Sequence, residues 1–302
     1  MLNKKIRLCF SFLSYFLFIS CQGTPVYKEK EIISKVDFSN YKDISNFSFV
    51  SMGCPWRVYY VNPKISIFHE RLKKKLINKA AEYDETFSDW SEESELKRIE
   101  KKSYNLLLCS SPLFLKALIF AKDFYNKTEG VFDITLGQGS LEYLSLSPNK
   151  KCFKFSQKYP KNLTFNGFVK GMVLGDMAKI FIRSGLKNFY INAGNGNIVF
   201  MLDEKHKDLF KLPKEYFLKG YDKIYFLSQS KTEQEHNMKK HQHIYNPKNR
   251  NLKLGAESKV LCSGDLNQMK QWPKISGLSD ALSTALTVNP KLTIPKNCQK
   301  IN

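Results

Sequence analysis

The chain has 302 residues, and 48 Lys and Arg against 28 Asp and Glu give it a formal net charge of +20 at pH 7. That length allows a large core, as one big domain or two intimate halves. The basic excess invites a nucleic-acid partner, but the lysines run along the whole chain instead of gathering on one stripe. No nucleic acid is therefore expected, and a lysine-rich surface or attraction to anionic lipid headgroups accounts better for the charge.

At the N-terminus, Lys4, Lys5 and Arg7 precede an apolar run from Leu8 to Ile19 that ends at Ser20-Cys21. A positive start, a short apolar stretch and a small residue before the break read as a secretory signal. The run is too short to span a bilayer of about 30 Å as a permanent helix. Serine before cysteine resembles a bacterial lipoprotein signal, which implies that Cys21 is lipidated and becomes the first mature residue. Residues 1–20 are then a signal peptide, 21–45 a polar tether and 46–302 the folded domain. The expected location is the periplasmic side of a bacterial membrane, held there by the lipid. Of the remaining cysteines, Cys54, Cys109, Cys152, Cys262 and Cys298 are scattered without a C-x-x-C. Their number is odd, so neither a disulfide framework nor a zinc site is expected.

After the tether, "FSFVSMGCPWRVYYV" alternates and is rich in β-branched and aromatic residues, predicting a strand pair or a bent strand around Gly53-Cys54-Pro55. Leu72, Leu76, Ala80, Tyr83 and Phe87 keep one face of a helix, and Phe114, Ala117, Leu118, Ala121 and Phe124 keep one face of a second. A third runs from about Lys170 to Gly185, with Val173, Met177, Ile180 and Phe181 inward and the glycine as its stop. "KNFYINAGNGNIVFM" reads as strand, glycine-containing turn and strand, and residues 203–222 as a lysine-rich surface excursion. The mixture predicts an α+β fold with a substantial antiparallel sheet and flanking helices.

Six stretches carry candidate chemistry. "SGLSDALSTALTV" (276–288) puts Asp280 and Thr284 one helical turn apart, hence on one face. Helix capping by Ser279, with Asp280 at the positive end of the dipole, is the bland reading. A hard-cation site made of two oxygens at a helix start is the sharper one. "SMGCPWRV" (51–58) sets a glycine and a proline beside Met52 and Trp56. "FSDWSEESELKRIE" (87–100) is a turn opening a helix with Ser91 or Ser94 as cap. "TEGVFDITLGQG" (128–139) has Phe132-Asp133 between glycines, and "NGFVKGMVLGD" (166–176) flanks Lys170 with Gly167 and Gly171. "HQHIYNPKN" (241–249) places His243 just before a turn at Asn246-Pro247. "GNGN" (194–197) lacks the third glycine and the following helix of a dinucleotide fingerprint, and no G-x-S-x-G elbow is present.

In this order the stretches resemble the ApbE family of flavin transferases. Met52-Gly53 is similar to the family's M-G-T, with Cys54 replacing Thr. Phe87-Ser88 and Ser94-Glu95-Leu96 match F-S…S-x-L, with Trp90 where an aromatic flavin contact is usual. Phe132-Asp133-x-Thr135 matches G-x-F-D-x-T, Gly167-x-x-Lys170-Gly171 matches G-G-I-A-K-G, and His243-Ile244-x-Asn246-Pro247 resembles H-I-I-D-P. Asp280-Ala281-x-x-Thr284-Ala285 matches D-A-x-x-T-A, the most specific of the set.

The resemblance implies a two-part, T-fold-like α+β domain that grips FAD at a cleft. It implies Mg²⁺ held by the Asp280 carboxylate, the Thr284 hydroxyl and the Gly167 carbonyl. Met52, Trp90, Val131, Phe132, Asp133, Lys170 and His243 would line the FAD site, with Asp280 and His243 as the catalytic pair. The implied reaction moves FMN from FAD to a Ser or Thr hydroxyl of an acceptor protein, such as a subunit of a membrane redox complex, and releases AMP. The alternatives are hydrolysis of FAD to FMN and AMP, or a lipoprotein that binds flavin without turnover. Departures fall at Thr164 and Gly175, where the family commonly has Asp, and at Asn246-Pro247-Lys248-Asn249-Arg250, where it has D-P-x-T-G.

Overall fold

A hairpin of β1 (Ile44–Ser51) and β2 (Cys54–Val61) opens the fold of the computed structural model. The described residues are 44–61, 66–102, 106–137, 141–156, 163–194, 196–210, 212–217, 219–236, 239–242, 244, 246–247 and 256–301. The signal, the tether with Cys21, and His243 lie outside them. Two residues, Met52 and Gly53, make the turn between a paired Ser51 and Cys54, both with positive φ (51° and 68°). That is the turn whose twist matches a hairpin, and it suits Gly53 better than Met52. The Met52 N–H donates to the Asp84 carboxylate at 3.1 Å, which holds the less favoured residue in place.

The next elements in the chain are α1 (Ser66–Phe87), α2 (Glu95–Glu100), β3 (Leu108–Cys109), α3 (Pro112–Lys127), β4 (Leu144–Ser147) and β5 (Cys152–Phe155). They are followed by α4 (Val169–Arg183), β6 (Phe189–Ala193), β7 (Asn197–Met201), β8 (Ile224–Lys231) and the ribbon of β9 (Glu233–His236) and β10 (Lys239–Gln242). The fold closes with β11 (Glu257–Gly264), α5 (Trp272–Val288) and β12 (Cys298–Ile301). The main sheet has seven strands in the order β1-β2-β6-β7-β8-β11-β12, antiparallel throughout, and β3-β5-β4 form a small second sheet. The expected α+β class and the antiparallel sheet are borne out.

Period-two alternation gives the main sheet two faces. Val58, Tyr60, Ile191, Val199, Phe226 and Val260 point to the face covered by the helices. Tyr190, Ile198, Phe200, Tyr225 and Leu261 point to the other. The expected stripe of α1 is buried at every position, as is that of α3, and each Leu or Phe among them contributes about 1.5–3 kcal/mol. In α4, Val173, Met177 and Phe181 are buried and Ile180 is half-buried, and Gly185 stops the helix at φ +79°. The lysine-rich stretch 203–222 does more than run over the surface. Its Leu209, Phe210, Leu212 and Tyr216 are buried and roof the second face of the sheet.

Glycine decides how α4 meets α5. A Cβ on Gly171 would stand 2.4 Å from the Ser276 carbonyl oxygen, and one on Gly175 would stand 2.6 Å from the Pro273 backbone. The two helices touch backbone to backbone, which only residues without a Cβ permit.

Two disulfides correct the expectation of none. Cys109–Cys152 joins paired residues of β3 and β5, and Cys262–Cys298 joins paired residues of β11 and β12. Neighbours across two strands are far apart in sequence, by 43 and 36 residues. Only the strand register, not the spacing, reveals them. Closing loops of that size restricts the unfolded chain, so a Cys262→Ser/Cys298→Ser variant should lose about 2–4 kcal/mol in a denaturant titration. An unchanged midpoint would show that the bond contributes nothing.

Candidate functional site

Asp280 and Thr284 sit in the middle of α5, not at its start. The helix begins at Trp272-Pro273, eight residues before Asp280, so neither the capping reading nor the idea of a helix-start site survives. Ser279 is no cap either, since its hydroxyl donates within the core to the Phe226 and Val260 carbonyl region of β8 and β11. Asp280 instead lies against the N-terminus of the neighbouring helix. The Gly171 N–H of α4 donates to its Oδ2 at 3.0 Å. The first turn of α4 has no acidic residue and no side-chain cap of its own, and Asp280 supplies the negative charge that a helix start favours.

The carboxyl is only 4% exposed. Burial pushes its pKa up to about 6, against the opposing pull of Lys170, the Gly171 N–H and the Asn197 side chain. A carboxylate so deeply buried is costly unless cations and donors surround it. Thr284, one turn on, is half-buried. Its Oγ1 lies 3.3 Å from the Asp280 carbonyl oxygen and 3.1 Å from Ser230 Oγ, and Ser230 also meets Ser283 at 2.7 Å. Donation to a carbonyl occupies the hydroxyl proton and leaves oxygen lone pairs for a cation. Gly167 adjoins this pair: a Cβ there would stand 3.8 Å from Thr284 Cγ2 and 3.0 Å from the Phe132 ring.

A carboxylate, a hydroxyl and a backbone segment without a side chain are oxygen donors of the kind Mg²⁺ takes, with water and phosphate completing its shell. Among the described residues no group of three His, Cys, Asp or Glu gathers, so a softer, nitrogen- or sulfur-rich metal site is not offered in its place. The residues present therefore fit a Mg²⁺ ion.

Beside this oxygen cluster opens a cleft of about 230 Å³. The hairpin turn Met52-Gly53 and Cys54 form one wall, Asp84 and Trp90 another, and Asn166 and Lys170 a third. Trp90 is 85% exposed at the rim, an unusual position for a ring of that size. Asn166 donates to Asp89 beside it at 2.9 Å. Lys170 lies close enough to both Cys54 and Asp280 to oppose the upward shift that burial gives each of them. Cys54, the residue in the family's Thr position, is the cysteine without a disulfide among the described residues.

Met52, Trp90 and Lys170 thus meet at the cleft, while Gly167, Asp280 and Thr284 meet at its inner neighbour. Phe132 belongs to neither surface. Its ring is buried against Phe124 and Phe168, at 5.1 and 5.9 Å, and it supports Gly167 from behind. Half-buried Val131 precedes it. Asp133 accepts from the Thr135 N–H at 2.9 Å and the Gly137 N–H at 3.2 Å, tying its own loop. Gly137 in turn touches the Pro247 backbone, so the segment after His243 docks on this loop. Asp84, Ser230 and Asn197 are site neighbours that the motifs did not announce. Asn197 could have been noticed as an amide opening a wholly apolar strand, on the inward parity of Val199 and Met201.

Comparison with known proteins bears on the fold. The fold is that of the ApbE flavin transferases. Flavin transferase ApbE from Vibrio cholerae superposes with a TM-score of 0.61 at 16% identity, over 81% of this chain and 86% of that one. The apo form of the Pseudomonas stutzeri flavinyl transferase ApbE gives 0.61 at 14%, over 81% and 84%. The ApbE protein from Thermotoga maritima gives 0.60 at 15%, over 81% and 86%. Residues 52–143 match the ApbE family model, which bears out the resemblance along the segment from the hairpin turn to the Phe132-Asp133 loop. No curated protein matches the sequence.

Proposed function

We propose that this protein is an FAD:protein FMN transferase, using Mg²⁺ to move FMN from FAD to a Ser or Thr hydroxyl of an acceptor protein with release of AMP. The observation that carries the reading is the convergence of Asp280, Thr284 and Gly167 on the start of α4, next to Lys170 and the Trp90 cleft. Mg²⁺ bound by these oxygens would neutralise charge on the FAD diphosphate. Lys170 adds a positive charge on the cleft side, where the same diphosphate would pass. The exposed Trp90 and the Met52-Gly53 turn offer walls for the isoalloxazine ring.

In the reaction the acceptor hydroxyl oxygen forms a bond to the FMN-side phosphorus. The bond from that phosphorus to the bridging oxygen breaks, and its electron pair leaves with AMP. His243 takes the hydroxyl proton in this scheme. The acceptor is a subunit of a membrane redox complex, met at the periplasmic side of the membrane to which lipidated Cys21 tethers the enzyme. Two disulfides suit such an oxidising compartment.

Incubation with FAD and Mg²⁺, with and without an acceptor domain, tests the proposal. Flavin fluorescence fixed on the denatured acceptor is expected. Free FMN without labelled acceptor would make the protein a hydrolase, and unchanged FAD would make it a flavin-binding lipoprotein. Trp90→Ala should weaken FAD binding about 2- to 12-fold by flavin fluorescence quenching, as aromatic stacking contributes about 0.5–1.5 kcal/mol beyond area. An unaltered affinity would move the ring elsewhere. A Cys21→Ala protein should leave the membrane fraction or keep its signal, and lipid labelling of that variant would end the lipoprotein reading.

A further inference from the structure

Asn197 opens β7 in a run that is otherwise Ile, Val, Phe and Met, and only 4% of it is exposed. Its parity matches Val199 and Met201, so it faces α4 and α5. There its side chain comes near enough to the Asp280 carboxylate to favour the charged form, and only the amide nitrogen of Asn197 can donate to it. The amide oxygen, Oδ1, is buried without a hydrogen-bond partner. An unpaired acceptor at that depth is a net cost to the fold. A Leu or Val would fill the same strand position without that penalty, so packing alone does not account for an amide.

We propose that Asn197 is a positioning residue of the cation site, fixing the Asp280 carboxylate through its N–H and receiving a water of the bound ion at Oδ1. The proposal rests on the Mg²⁺ reading given above. Gly171 holds Asp280 Oδ2 from α4. Asn197 approaches the same carboxylate from the sheet, so the group is approached from two elements at once. The orphaned oxygen then becomes an acceptor for a donor the folded chain itself does not supply. Water carried by a hard cation is such a donor. Partners of this kind around a metal ligand typically change metal affinity by about 10–100-fold when removed.

The test is Mn²⁺ binding by the purified protein, followed by the electron paramagnetic resonance of the free ion, with and without FAD. Asn197→Ala and Asn197→Leu, the second of which refills the volume, should both bind Mn²⁺ about 10–100-fold more weakly. Their melting temperatures should stay near that of the parent, because an unpaired buried oxygen has been removed. Affinity within twofold of the parent in either variant overturns the proposal, provided Asp280→Asn abolishes binding in the same assay. Should Asp280→Asn bind Mn²⁺ normally, the cation reading fails and this proposal with it. If neither Asn197 variant folds, the residue is structural and the proposal is likewise overturned.

Discussion

Asp280→Asn should abolish Mg²⁺-dependent FAD turnover, by orders of magnitude, while leaving the protein as stable as before. The change keeps the shape of the side chain and removes the full negative charge that faces Lys170 and the start of α4. The new amide oxygen can still accept from Gly171, and Asn197 can present its unpaired oxygen to the new amide nitrogen. Burial that now works against the charged group, raising its pKa to about 6, no longer applies to a neutral one. The melting temperature should therefore shift by no more than about 2–4 °C in either direction, equivalent to roughly 1 kcal/mol in a chain of this size. Thr284→Val, which keeps shape and loses the hydroxyl oxygen, should show a milder loss of turnover. Normal turnover in Asp280→Asn would separate this cluster from catalysis altogether. Because α5 begins at Trp272, Asp280 would then be left with its contact to the start of α4, and not with a cap of its own helix.

That helix start shows where the sequence could and could not be read. The stripes of α1, α3 and α4 were legible because a buried face repeats every three or four residues whatever it packs against. The start of α5 was obscured by Ser279-Asp280, which has the composition of a cap, although Pro273 offered the sounder signal of a first turn. Asp280, Thr284 and Gly167 could be named from their motifs, but not their partners. Gly171 and Asn197 reach Asp280 only because α4, α5 and β7 meet in space. The disulfides were hidden for the same reason, since register is a property of paired strands. Lysines among residues 203–222 masked Leu209 and Phe210, whose burial depends on the sheet face they cover. The packing of the Phe132 ring against Phe124 and beside Gly167 was likewise beyond the motif.

Gly175→Asp should unfold the protein, even though it restores the residue the ApbE family commonly has at this distance from its lysine. A Cβ at Gly175 would meet Pro273 N and Cα and the Trp272 carbonyl carbon, each at 2.6 Å. These are backbone atoms of the first turn of α5, so no side chain can swing away, and the helices must separate. Overpacking of that kind costs about 1–3 kcal/mol. The carboxylate would add a buried charge without a partner, worth about 3–5 kcal/mol more. Their total is a large part of the roughly 5–15 kcal/mol that holds a typical domain together. Gly175→Ala should show the first cost alone, as a lower but cooperative melting transition. Separation at this point also has a functional consequence, because Gly171 lies one turn away and donates to Asp280. Residual folded Gly175→Ala protein should accordingly bind Mn²⁺ more weakly. This chain keeps a carboxylate one position on: Asp176 accepts from the Tyr83 hydroxyl at 2.7 Å and pairs with Lys179, on the side of α4 that faces α1. A Gly175→Asp protein that melts at the parent temperature would mean that α4 and α5 are not in backbone contact, and the clamp around Asp280 would lose its physical basis.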